Sequence, residues 1–474
     1  MTTTNGNRKI LDAKRWEYMT PSPAATAAGA FISSSRHYRQ QQLFVQAQTV
    51  AYLYNPNEDG WIQLPSPGLA AALAAGSCGT AGSFSTGSTV AVASLTATAG
   101  TTSTITTNQT LARDLRGYSI HILAGPNAGV TLAIVSNTIG ANAVITVATQ
   151  ASAFSNATVY RLVTPVWYVA NGGSTATASF RKYDFATNSW VTLANMPASF
   201  GTDARLMATP SWMDSDYVSF ATGTATSATG TTLVNSAKTW TTNQWANYQV
   251  RIVSGTGAGQ IRAITSNTGT TLTVPTWTTT PDATSVYSIS GNDDYLYLMG
   301  NNAITLYRYS ISANTWSTLS PGVARTGAPG AGMGGHWVWG VTASDWTNES
   351  AIQNGRYLLS FRGAGGALLD EYDIALNAWS AVSYAPAVET FTTGSKWIYA
   401  GDYIYGTKDA TNRWFRFDIA ASNMDGMTIM NVAQGTAVVG DTAFDVAYKD
   451  GATTILYLHM LMNTSTIHAR MMVI

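Results

Sequence analysis

Apolar residues come along this chain in short bursts of four to seven, alternating with polar ones and closed by Gly, Asn or Asp, which predicts β-strands and tight turns rather than helices. One burst recurs: aromatics on an apolar strand, a turn containing asparagine, then tryptophan. The clear copies are Ala51 to Trp61, Lys182 to Trp190, Tyr307 to Trp316 and Glu371 to Trp379. Two copies without the tryptophan follow, Trp414 to Asn423 and Ile455 to Asn463. A further apolar strand running into glycine precedes most copies, as in Val166 to Gly173, Tyr295 to Gly300 and Tyr357 to Gly363.

This unit of an apolar strand ending at glycine, an aromatic strand, an Asn turn and a tryptophan resembles the kelch repeat. The resemblance covers most of 42–474 outside two insertions and implies a β-propeller, with six copies implying six blades. Physically, one such meander cannot cover both its faces, whereas radial stacking buries both and lets Trp61, Trp190, Trp316 and Trp379 wedge between neighbours. The alternative is a β-sandwich with fortuitous spacing.

The two insertions resemble each other. Gly117-Tyr-Ser-Ile-His-Ile-Leu-Ala-Gly-Pro-Asn-Ala-Gly129 aligns with Asn247-Tyr-Gln-Val-Arg-Ile-Val-Ser-Gly-Thr-Gly-Ala-Gly259, then Ala133 to Thr138 with Ala263 to Thr268, and Tyr160 with Tyr287. Trp61 and Trp190 are 129 positions apart and Trp190 and Trp316 are 126, so blade and insert duplicated together. The first copy departs at Val130, Thr131 and Leu132, where the second has Gln260, Ile261 and Arg262. Each insert is expected to be a small β-barrel or sandwich that projects as a separate knob. The second, through Gly257 to Ile264, Asn267 to Val274 and Pro281 to Tyr287, resembles small β-modules of tailed-bacteriophage structural proteins.

The expected organisation is all-β: 1–40 an extended N-terminal arm, 41–75 the first blade, 76–162 the first insert, 163–221 a second propeller segment, 222–290 the second insert, and 291–474 the remaining blades. The arm carries Arg8, Lys9, Lys14, Arg15, Arg36 and Arg39 against Asp12 and Glu17. Arg8, Lys9, Lys14 and Arg15 are the expected assembly contacts, ordered across a neighbouring subunit.

Composition narrows the function. There are 25 basic and 25 acidic residues and only 11% of positions are charged, so neither broad attraction to anionic membrane nor reading of nucleic acid is expected. No run of about twenty apolar residues predicts a membrane span, and the first fifteen residues lack a signal-peptide apolar run. The lone Cys78 excludes an intrachain disulfide and reads as part of a low-complexity lead into the first insert, outside the blades. A copper radical oxidase, which needs a cysteine crosslinked to tyrosine, is therefore not expected. His37, His121, His336, His459 and His468 stand on separate segments without metal-ligand spacing, and His336 lies in an aromatic strand suited to the central channel. Asp293-Asp294 and Asp370-Glu371 are adjacent, which on a strand sends them to opposite faces, so solvated turn or edge positions are expected instead of paired acid–base work. Gly255 to Gly259 lacks the following helix and lysine of a phosphate loop and reads as a hairpin turn.

These readings converge on a structural component of a bacteriophage virion, in the neck or tail before the capsid exterior, with no catalytic residue, metal or cofactor. Its expected partners are other virion proteins and copies of itself. One rival is a host-surface glycan-binding protein using Trp240, Trp245 and Trp277. Another is a propeller enzyme acting on a polysaccharide.

Overall fold

In the computed structural model, residues 16–473 are described apart from connecting segments, of which 35–42, 66–72, 83–94, 210–219, 340–353, 384–394 and 430–442 are the longest. Six four-stranded antiparallel sheets form the blades. Blade one runs Phe31–Ser34, Leu43–Ala47, Val50–Asn55 and Gly60–Gln63 from inside to outside. Blade two is Cys78–Gly82, Val166–Asn171, Ser179–Asp184 and Ser189–Thr192, and blade three Arg205–Ala208, Tyr295–Met299, Leu306–Ser310 and Thr315–Thr318. Blade four comprises Gly334–Trp339, Asn354–Phe361, Leu368–Asp373 and Ala378–Ser383. Lys396–Ala400, Tyr403–Thr407, Arg413–Asp418 and Asn423–Ile429 make blade five. Ala443–Lys449, Ile455–Leu461 and His468–Val473 begin blade six, whose outermost strand is Trp16–Met19 from the other end of the chain. The innermost strands neighbour one another in this order and the sixth returns to the first, so the ring is a closed six-bladed propeller.

Three expected boundaries are corrected. Residues 16–19 and 31–34 are blade strands, not parts of an extended arm. Ile455–Leu461 is the second strand of blade six rather than its aromatic third strand, which is His468–Val473. Cys78 lies on the innermost strand of blade two, and the inserts interrupt blades two and three after their first strands instead of falling between blades. The strand Cys78-Gly-Thr-Ala-Gly82 looks like a linker because crowding at the axis demands small residues. A Cβ on Gly79 would lie 2.3 Å from the Phe31 ring, and one on Gly334 2.3 Å from Trp397.

The recurrent tryptophan motif is a clasp at the outer hairpin. Tyr183, Tyr309 and Tyr372 donate their hydroxyls to the side-chain oxygens of Asn188, Asn314 and Asn377 at 2.9, 2.7 and 2.8 Å, and Tyr54 does the same to Asp59 at 2.6 Å. Those four turn residues have φ between +46° and +53°, the left-handed region where Asn and Asp are tolerated best. Each tyrosine ring also packs against its blade tryptophan, Trp61, Trp190, Trp316 or Trp379, at 4.8 to 5.3 Å and 47° to 49°. The tryptophan then reaches the preceding blade: the indoles of Trp61, Trp190 and Trp316 donate to the carbonyls of Thr20, Pro65 and Ala194. At blade four the Asn377 side chain makes this link, donating to Ser320 O at 2.9 Å.

Both inserts are curled sheets of one strand order. In module one a seven-stranded sheet runs Leu95–Thr96, Val159–Val163, Ser119–Ala124, Thr131–Asn137, Val144–Val147, Thr104–Thr106 and Ala99–Gly100. Module two repeats it as Ala221–Thr224, Val286–Ser290, Gln249–Ser254 and Ile261–Ala263, then Ser266–Asn267, Thr271–Thr273, Thr232–Val234 and Ser227–Thr229. The fourth strand of module one is thus split in module two. Alternation fills each barrel, with Ile120, Ile122 and Tyr160 inside one and Val250, Ile252 and Tyr287 inside the other.

Candidate functional site

In a four-stranded antiparallel blade, the connection after the first strand and the hairpin after the third emerge on the same face. Both modules therefore rise from the face that carries the Asn turns, and they dock on those turns. Ala112 N donates to Ala186 O at 3.1 Å, Arg113 reaches the Asn188 side chain, and Tyr118 packs on Phe185 at 4.7 Å. Module two reaches blade four, where Asn247 donates to Ile374 O at 2.9 Å, and blade three, where Arg308 donates to Asn247 at 3.5 Å.

The modules also meet each other, which corrects the expectation of separate knobs. Arg251 contacts His121, its own counterpart in the duplicated sequence. Gly259 sits so close that a Cβ there would lie 2.0 Å from Leu123 O. Beside this seam Arg161 of module one forms a buried ion pair with Asp293 of blade three at 2.9 Å. Burial first, then the charges of Arg251 and Arg161, holds the His121 imidazole well below its usual pKa of 6.5, so it is neutral at neutral pH. The two modules sit side by side on one face of the ring, in contact at this seam.

The channel end offers a second group of polar residues. Lys396 Nζ lies 2.8 Å from Asp203, and Arg205 stands on the neighbouring innermost strand near Cys78. Burial pushes the Cys78 thiol up to about 12, so it remains protonated and unreactive. His336 is on the innermost strand of blade four. His459 and His468, nine positions apart, come together on adjacent strands, with Nδ1 of one 2.9 Å from Nε2 of the other. Among the described residues no group of three or more His, Cys, Asp or Glu could hold a metal ion.

Several expected site residues fall elsewhere. Trp240, Trp245 and Trp277 retain only 6%, 0% and 4% of their surface, so they plug the barrel of module two and present no face to a sugar ring. Asp293 and Asp370 are not solvated but buried in ion pairs, Asp370 lying 2.6 Å from both Arg325 and Arg362. Asp294 is tied to Ser310 and Ser312, and burial raises its carboxyl above the ordinary 3.8. A buried carboxylate paired with a guanidinium is unsuited to acid–base exchange with a substrate. Arg8, Lys9, Lys14 and Arg15 lie outside the described residues, as do His37, Arg36 and Arg39. Sequence reasoning missed the seam: the clue available was that His121 and Arg251, polar at an otherwise apolar strand, occupy matched positions.

No protein-family model and no curated protein matches the chain. Among solved structures, a chain of a crystal structure of the mitotic checkpoint complex is similar at a TM-score of 0.37 and 8% identity, over 97% of this chain and 90% of that one.

Proposed function

We propose that the chain is a non-enzymatic structural component of a bacteriophage particle, at the neck or tail before the capsid exterior, in which the propeller is a platform and its module-bearing face contacts neighbouring subunits. The observation that carries this reading is the duplicated module pair, seated on one face by backbone and side-chain bonds to the Asn turns. A rigid pair of uncatalytic barrels presents two fixed surfaces at once, and two modest contacts held in fixed geometry bind far better than either alone. The even charge balance and the resemblance of module two to phage β-modules agree with it. The kelch-like character of the repeat and any contacts of Arg8, Lys9, Lys14 and Arg15 with copies of this chain or other virion proteins belong to the same proposal.

The test is quantitative mass spectrometry of gradient-purified particles from infected cells, paired with mass photometry of the isolated protein with and without residues 1–15. A fixed number of copies per particle, and multiples of 50.2 kDa in solution that need the first fifteen residues, are the expected results. A chain absent from particles and monomeric in both forms sinks the reading.

A further inference from the structure

The ring is closed by a short strand from the N-terminal end, and what lies behind that strand is chemically unlike the other blade contacts. Trp16–Met19 pairs with His468–Val473 in the register Met19 to His468 and Glu17 to Arg470. Beyond it, Thr20 is held by blade one: its amide donates to both carboxylate oxygens of Asp59, at 2.9 and 3.2 Å, and the Trp61 indole donates to its carbonyl at 3.0 Å. Directly beneath are the two imidazoles, with 0% exposure for His459 and 1% for His468. The Tyr54 ring stands edge-on to His468 at 4.4 Å, and Trp61 packs on it at 5.4 Å. Elsewhere this position between neighbouring blades is aromatic or aliphatic, for example the Phe180 ring against Tyr309 and Trp316 between blades two and three.

We propose that this closure is an acid-operated latch, in which protonation of the buried His459–His468 pair expels the strand Trp16–Met19 and opens the ring between blades six and one. One ring donates its single proton to the other across 2.9 Å; a proton added to the pair creates an imidazolium cation where neither ring is exposed, and protonation of both rings leaves two N–H donors facing each other. Two of the charges beside the pair are already committed. Arg470, on the same strand as His468, is positive and shared with Glu17 at 3.2 Å, and Asp59 is already engaged by Tyr54 and Thr20. In the ladder Asp445 stands opposite His459.

The direction follows from linkage. Burial lowers the His468 imidazole from 6.5 to about 4, with its Thr20 backbone bond and Asp59 only partly offsetting it, and burial followed by the charges of His468 and Arg470 holds His459 well below its usual value. An opened latch binds the proton more readily than a closed one. Closure is therefore at full strength above about 6.5 and weakens as pH falls toward about 4. Asp59, held below 3.8 by its bonds to Tyr54 and Thr20 in spite of burial, loses its contribution only at still lower pH, so the window between belongs to the histidines.

Hydrogen exchange read by mass spectrometry on the full chain tests this, with rates corrected for intrinsic pH dependence. Protection of 16–22 is expected to fall about thirtyfold between pH 7.5 and pH 5.0, the consequence of one group shifted from 6.5 to about 4, while blades two to four keep theirs. His459→Gln with His468→Gln is expected to flatten that response to under about threefold. A second variant covers the case in which this one does not fold. Glu17→Cys with Arg470→Cys, at directly opposed positions, should hold the strand at pH 5.0 when oxidised and release it when reduced. Unchanged protection of 16–22 at pH 5.0 in the natural chain, an equal fall in the glutamine variant, or loss of protection everywhere at once would each overturn the latch.

Discussion

The two modules carry the same strand order yet are filled and finished differently. Both keep the features that shape the backbone. Gly125 and Gly255 take φ of +84° and +78° where a Cβ would strike the carbonyls of Ala157 and Thr284, and a bulge follows Ile122 and Ile252. Asn137 and Asn267 each accept from a backbone amide, of Leu115 or Trp245, and donate to a carbonyl, of Arg113 or Thr241. The plugs differ: Trp240, Trp245 and Trp277 occupy places that, by backbone hydrogen-bond pattern, hold Leu111, Leu115 and Gln150 in module one, where Phe154 fills the end of the barrel instead. Duplication has thus preserved turn chemistry and allowed the apolar filling to drift. A core accepts any plug of suitable volume, whereas a left-handed turn or a two-way side-chain clasp accepts few residues.

If that is right, removing a plug should hurt one module and leave its twin intact. Trp245→Ala empties the largest fully buried side chain of module two and is expected to cost about 4 kcal/mol locally, against about 3 for Leu115→Ala in module one. Hydrogen exchange resolved by peptide checks it. Module two peptides should open selectively, and equal opening of both modules would mean that the seam at Arg251 and His121 couples them into one unit.

The shared clasp should be more even in its effect. Asn267→Ala leaves the Trp245 amide and the Thr241 carbonyl without that partner at a site only 2% exposed, and is expected to destabilise module two by about 2 kcal/mol. Asn137→Ala, less deeply buried, should cost about 1.5 kcal/mol in module one. Chemical denaturation followed by the tryptophans of module two, alongside exchange of module one peptides, separates the two values. A difference larger than the whole effect of either would break the idea that turn chemistry is common property.

What could be read from the sequence follows the same division. The clasp of tyrosine, asparagine and tryptophan was legible because each partner is local, five to seven positions apart, and its chemistry dictates the residue type. So was the duplication, carried by Gly125, Gly255, Asn137 and Asn267. The innermost strand of blade two was not, because the Phe31 ring packs where a Cβ on Gly79 would be, and Cys78-Gly-Thr-Ala-Gly82 carries no apolar alternation. The strand Trp16–Met19 was hidden for another reason: its partner is 449 positions away at Met19 and carries no complementary pattern of its own. The tryptophans of module two misled because they sit in turns and loops among Thr and Asn, a setting that reads as exposed, yet all three side chains are buried in the module.

The smallest expected effect concerns the polar pair that only module two possesses. Gln260 accepts from the amides of Thr278 and Thr279 at 2.7 and 3.1 Å and donates to the carbonyls of Gly257 and Thr279 at 3.1 and 2.7 Å. Arg262 lies over the Trp277 ring at 5.5 Å and donates to Thr276 O at 2.9 Å. Together they strap the loop that caps the barrel. Module one has Val130 and Leu132 there and secures its own loop through Asn127, whose amide donates to Ser152 O at 2.8 Å. Gln260→Val, which installs the residue of module one, is therefore expected to cost about 1 kcal/mol, since most of these bonds are half exposed, and to speed exchange at Thr278 and Thr279. The reverse change, Val130→Gln, should gain nothing, because the module one loop is already held by Asn127. A stability gain from Val130→Gln would mean that the strap is part of the shared skeleton rather than a later addition to one copy.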